Sequence, residues 1–131
     1  MKTQISTTPE QSQRLIACGV NPDSADMYLS INLNEGENYG KYSTHIIGED
    51  LRTLDEIMSA SDLSPVWSLS ALLDMMKDKK VLVAYLPKEK EWQVLAKINN
   101  VNHGCYSDSP IESCVKMLEL MYKNDYTLNT K

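Results

Sequence analysis

The chain reads as a single α+β domain over residues 1–131: three to four short helices packed on a small antiparallel sheet that contains a β-hairpin at about 81–98. Three observations predict this class. Two segments open with the same helix-start grammar, Thr8-Pro9-Glu10-Gln11 and Ser109-Pro110-Ile111-Glu112. Two stretches of strand length face each other across polar tips, one from Met27 to Ile47 and one from Val81 to Ile98. No repeat, low-complexity tract or linker interrupts a length usual for one domain.

Taken in order, Thr8 can accept from the Gln11 amide while the Gln11 side chain reaches back, with Pro9 at the first helical position. Leu15, Ile16 and Cys18 give that helix an apolar face, Gly19 is a left-handed stop, and Asn21-Pro22-Asp23 turns the chain. Met27, Leu29, Ile31 and Leu33 alternate with Tyr28, Ser30 and Asn32, the period of a half-buried strand. Residues 34–41 are rich in Gly and Asn and predict a loop, with Tyr42 to Ile47 as the returning strand and Gly48 ending it. Leu51, Leu54, Ile57 and Met58 recur at helical spacing and predict a short helix over 50–59. Ser61 to Pro65 reads as a polar break. From Ser68, a capping residue, Leu69, Leu72, Leu73 and Met76 line one helical stripe. Val81–Tyr85 and Trp92–Ile98 flank the charged tip Pro87-Lys88-Glu89-Lys90-Glu91, a hairpin pattern. The final helix buries Ile111, Cys114, Val115, Leu118, Met121 and Tyr122. Its outer face sets Glu112 against Lys116 and Glu119 against Lys123 at the favourable i,i+4 spacing.

Composition excludes several functions. The net charge of −5 belongs to residues 34–62, where seven acids stand against Lys41 and Arg52. Arg occurs only twice and no basic stripe exists, so nucleic-acid binding is not expected. The same −5, interleaved with lysines, is thin beside the charge every ~1.7 Å of duplex DNA, which leaves mimicry of DNA as a minor option. The longest apolar run, Val81 to Leu86, is far short of a membrane span, and the opening residues carry no apolar signal core. With three cysteines, Cys18, Cys105 and Cys114, in no paired spacing, this predicts free thiols in a reducing, cytoplasmic setting.

The sharpest candidate chemistry is His103-Gly104-Cys105 followed by Asp108. A thiol activated by an imidazole and oriented by a carboxylate would be a nucleophile. The same residues also read as an exposed loop before the last helix, with Asp108 or Ser109 capping it. A zinc site from His103, Cys105 and Cys114 lacks a fourth ligand and any C-x-x-C spacing, so no metal and no cofactor are expected. Glu35, Glu37, Glu49 and Asp50 lack the alternation and terminal Glu of a calcium loop and read as a solvated acidic face. Trp67 and Trp92 sit among core-pattern residues and are expected to pack. Ser64, Ser68 and Ser70 lack a nucleophile elbow.

Two stretches, SPVWSLSALLDMM (Ser64 to Met76) and SPIESCVKMLELMYKNDY (Ser109 to Tyr126), resemble segments of the types PAWSLSALLELLP and NPIEAAVEMLLWLLENGY. These occur in small bacteriophage and mobile-element proteins of gut bacteria. QSQRLIACGVNPDSADM (Gln11 to Met27) is similar to the opening of the same group. The matches span about a third of the chain. The chain departs from the group at Asn124-Asp125, where Asn-Gly is usual, and at Met75-Met76-Lys77, where Pro is frequent. The resemblance implies a genetic setting and no catalytic residue. The expectation is therefore a non-enzymatic accessory protein working through contacts with a protein partner or a second copy of itself, with the acidic segment 34–62 as a recognition surface. A thiol-dependent enzyme using Cys105 with His103 is the alternative.

Overall fold

The computed structural model describes residues 4–32, 36–37, 39–47, 54–59 and 63–123. The first helix, α1 (Pro9–Cys18), carries the capping box in full. Thr8 Oγ1 accepts from the Gln11 amide at 3.1 Å, and Gln11 Oε1 accepts from the Thr8 amide at 2.9 Å. Gly19 stops the helix at φ +121°, and a Cβ there would stand 3.0 Å from the Tyr122 ring. Backbone and packing both demand glycine at that point.

After a 3-10 turn at Pro22–Ser24, strand β1 (Met27–Ile31) pairs antiparallel with β2 (Tyr42–Ile46) as the alternation predicts. Helix α2 (Leu54–Ser59) follows; residues 48–53, including Gly48, Leu51 and the start of the expected 50–59 helix, lie outside the described residues. Strand β3 (Leu63–Val66) then pairs with the other side of β1, giving the order β2-β1-β3. This corrects the reading of Ser61–Pro65 as a break. A proline discourages a strand assignment, yet β3 is an edge, where a missing N–H need not cost a ladder bond. Tyr28, on the polar side of the alternation, is buried and stacks on His45 at 4.8 Å, while Ile57 and Leu63 complete a small second core.

Helix α3 (Leu69–Met75) begins at Ser68, whose Oγ accepts from the Ala71 amide at 3.2 Å. The expected hairpin follows as β4 (Leu82–Leu86) and β5 (Glu91–Ile98). A third strand, β6 (Val101–Ser107), pairs with β5 across the tight turn Asn99-Asn100, both residues at positive φ. His103, Gly104 and Cys105 are thus ladder positions and not an exposed loop. The strands divide into two three-stranded antiparallel sheets where one was expected.

Helix α4 (Pro110–Lys123) lies against β5 and β6. Val94, Ala96 and Ile98 meet Ile111, Cys114, Val115 and Leu118 in the main core, which also takes in Leu15, Trp67, Leu72 and Met76. The helix start differs from α1. Ser109 Oγ accepts from the Glu112 amide at 3.3 Å, but the Glu112 carboxylate turns away to Gln11 and Arg14, and the Ser109 amide donates to Ser107 Oγ.

Candidate functional site

The thiol constellation is spread along one strand. His103 and Cys105, two residues apart, point to the α4 side of the sheet, opposite Ala96 and Val94 respectively. Asp108 is exposed beyond the strand end, and Ser109 is the residue that caps α4. Burial pushes the Cys105 thiol above its ordinary value, with Lys116 pulling weakly the other way. An attacking thiolate requires the opposite shift. Cys114, deeper in the core, is pushed up to about 12 by burial and by Cys105, and burial also raises Cys18.

Among the described residues no three His, Cys, Asp or Glu side chains converge on a common point, so His103, Cys105 and Cys114 form no ligand set. Of the acids in the central segment, Glu37 and Glu56 are exposed, and Glu35, Glu49 and Asp50 lie outside the described residues. Ser64 belongs to β3, Ser68 caps α3 and Ser70 is exposed on it.

Polar groups do gather where α1, β3 and α3 meet. Trp67 is fully buried; its amide donates to Thr7 Oγ1 at 2.9 Å and its indole Nε1 to Ser24 Oγ at 2.9 Å. Asp26 accepts from the Ser68 amide at 2.9 Å and from Ser68 Oγ. Beside this seam Arg14 reaches α4 with Nη1 2.8 Å from Glu112 and Nη2 2.6 Å from Glu119. These two acids serve α1, where the sequence offered them to Lys116 and Lys123; Lys116 instead donates to the Tyr106 carbonyl at 2.8 Å. Hydrogen bonds donated to Glu119 and Glu112 raise the Arg14 pKa. Burial works against the charge of Glu112, yet the bonds from Arg14 and Gln11 outweigh it and hold its carboxyl below the usual range. These bonds tie α1 to α4.

The other side of the second sheet is different. Since Val94, Ala96 and Ile98 face α4, the alternate positions Gln93, Leu95 and Lys97 face away, and their cross-strand partners share that face. One row runs Leu82, Leu95, Gly104; the next runs Ala84, Gln93, Tyr106. Gly104 leaves room for Leu95 and Tyr106 to close over it: a Cβ there would stand 3.1 Å from Leu95 Cδ2 and 3.3 Å from Tyr106 Oη. Gln93 Nε2 donates to Tyr106 Oη at 2.8 Å and fixes that ring. Leu82 is 65% exposed and Tyr106 44% exposed, and Ala84 is open to solvent as well. An ordered apolar platform therefore faces water. The hydrophobic alternation of β4 and β5 was visible in the sequence, but its outer half could be located only once β6 supplied Gly104 and Tyr106.

Compared with known proteins, the chain matches no protein-family model, no curated protein and no solved structure. No helix among the described residues is long and apolar enough to cross a membrane.

Proposed function

We propose that this chain is a small non-enzymatic accessory protein, in the bacteriophage or mobile-element setting its sequence resemblance implies, and that it acts by contact with other protein surfaces. The observation that supports this reading is the solvent-facing side of the β4-β5-β6 sheet. Leucine and tyrosine side chains exposed on a rigid sheet, and positioned by Gly104 and Gln93, lose little entropy on being covered. Burying such side chains stabilises a complex by about 25 cal/mol per Å² before those costs are met.

The test is site-specific photocrosslinking in bacterial lysate. A photoreactive residue replaces Leu82 or Tyr106 in turn, with exposed Asp74 on α3 as the control position. Defined protein adducts from Leu82 and Tyr106 and none from Asp74 are expected. Adducts of equal yield and identity at all three positions would remove the basis for the proposal.

A further inference from the structure

The chain is acidic as a whole, at a net charge of −5, yet Lys77, Lys79 and Lys80 stand within four residues against Asp78 alone. They form the 3-10 turn Lys77–Lys79 and the residue that ends it, and the turn packs on β5. Strand β5 brings Lys97 to the same end of the sheet, just before the Asn99-Asn100 turn. A hollow of about 270 Å³ opens where these segments meet, lined by Asp78, Lys79, Lys80, Lys97, Asn99 and Asn100. Sites for drug-sized organic ligands are mostly apolar and run to ~300–1,000 Å³. This one is smaller, and no apolar or aromatic residue lines it. A hollow of that kind selects by charge.

The charges in it do not balance. Lys77 is engaged elsewhere, its Nζ 3.5 Å from Asp74. Lys79 is largely covered, with its Nζ 3.8 Å from Asp78 Oδ2. Among the described residues, Lys80 and Lys97 have no acidic partner, and the side-chain amides of Asn99 and Asn100 have no hydrogen-bond partner. Three ammonium groups therefore face one carboxylate, a surplus of two positive charges in a concave place where the field is concentrated. The backbone gives an independent sign. Lys80 sits in the left-handed region at φ +52° and ψ +55°, directly after a helical turn. Glycine or asparagine is the ordinary residue there, because a larger side chain crowds its own backbone. The chain accepts that strain and keeps a cation at the hollow.

We propose that this hollow binds a phosphate dianion, either free or as the end group of a small phosphomonoester. The ammonium groups of Lys79, Lys80 and Lys97 and the amides of Asn99 and Asn100 donate to its oxygens. Asp78 repels the anion but holds Lys79 in place. Lysines act as point charges without the planar fork of arginine, so recognition rests on charge and on the size of the hollow. An extended polyanion such as nucleic acid meets two surplus charges here and an acidic surface beyond them. The site lies apart from the Leu82, Leu95 and Tyr106 platform, and the inference does not depend on the contact reading.

Amide NMR titration of the full chain with inorganic phosphate, at constant low ionic strength, tests the proposal. Saturable shifts centred on Lys80, Lys97, Asn99 and Asn100 are expected. A parallel titration with glycerol phosphate separates the two sources. Tighter binding of the ester marks a phosphorylated small molecule and equal binding marks the phosphate group alone, and either supports the site. Lys80→Asn, which suits the left-handed backbone, and Lys97→Gln, on an exposed strand position, each weaken binding by about three- to tenfold. Asp78→Asn removes the repulsion and tightens it by about two- to fivefold. Lys88→Asn, the same charge change on the exposed hairpin tip, leaves it unchanged. Shifts that never saturate overturn the proposal, as does a Lys88→Asn loss equal to those of Lys80→Asn and Lys97→Gln. A short DNA oligonucleotide that binds more tightly than either phosphate, with shifts spread over all the lysines, overturns it as well by showing a diffuse field in place of a site.

Discussion

Trp67 and Trp92 are held in opposite ways. Around Trp67, segments far apart in the chain meet through directed polar bonds: Thr7 on its amide, Ser24 on its indole, and Asp26 on the amide of the next residue. Trp92 lies in the second sheet, half-buried with its ring 5.2 Å from Tyr85; its Nε1 is shielded and has no hydrogen-bond partner among the described residues. One region fixes its geometry by satisfying donors and acceptors. The other relies on apolar burial on the α4 side and leaves its outer side to solvent. A junction of segments needs direction, which hydrogen bonds give; a sheet already has direction from its ladder and can spend its side chains on surface.

Three measurements bear on this contrast, each by urea unfolding. The largest effect is expected from Trp67→Ala, which opens a large cavity and leaves Ser24 Oγ without its indole donor, at about 3–5 kcal/mol. A loss no larger than that of Trp92→Ala would erase the distinction. Next comes Arg14→Met, at about 1–2 kcal/mol, since Arg14 is partly exposed and its pairs are screened, though the largely buried Glu112 then keeps only the bond from Gln11. This effect has a pH signature. A carboxyl whose pKa is lowered by folding, as Glu112 is, adds stability that is complete above its unfolded value of about 4.3 and is lost as pH falls through the folded value. The gap between wild type and Arg14→Met is therefore expected to be widest near about pH 7 and to narrow below about pH 4. A gap constant into stronger acid would mean that the Arg14 stem acts by packing alone. Smallest is Trp92→Phe, within about 0.5 kcal/mol, because the lost area is offset by removing a shielded donor that bonds nothing. A cost near that of a lost buried hydrogen bond would show that Nε1 is satisfied in solution.

What the sequence shows in advance is what is local. The α1 capping box needs only Thr8 and Gln11, the Ser68 cap only its own helix, and the two hairpins only alternation around a polar tip. The structure bears out all of these. The elements it misses depend on distant partners. Strand β3 is hidden by Pro65, which is harmless only because β1 lies on one side of it and none of the described strands on the other. Strand β6 is hidden by Gly104 and its polar neighbours, although Asn99-Asn100, two residues tolerant of positive φ, is a hairpin signal that pattern reading could have used. Glu112 and Glu119 look like partners for lysines one turn away, and only the packing of α1 on α4 shows that they belong to Arg14. The exposed platform is missed for the same reason, since a face exists only when three strands are in register.

The Arg14 contacts also set an order of events. Glu112 and Glu119 lie 98 and 105 residues further along the chain. At a synthesis rate of about 5–20 residues per second, they leave the ribosome roughly 5–20 seconds after Arg14 does. Helix α1 has ten residues, fewer than the roughly 12–15 that make an isolated helix even marginal in water. During translation α1 therefore waits as a fluctuating segment, and its Arg14 pairs close only after α4 has been made.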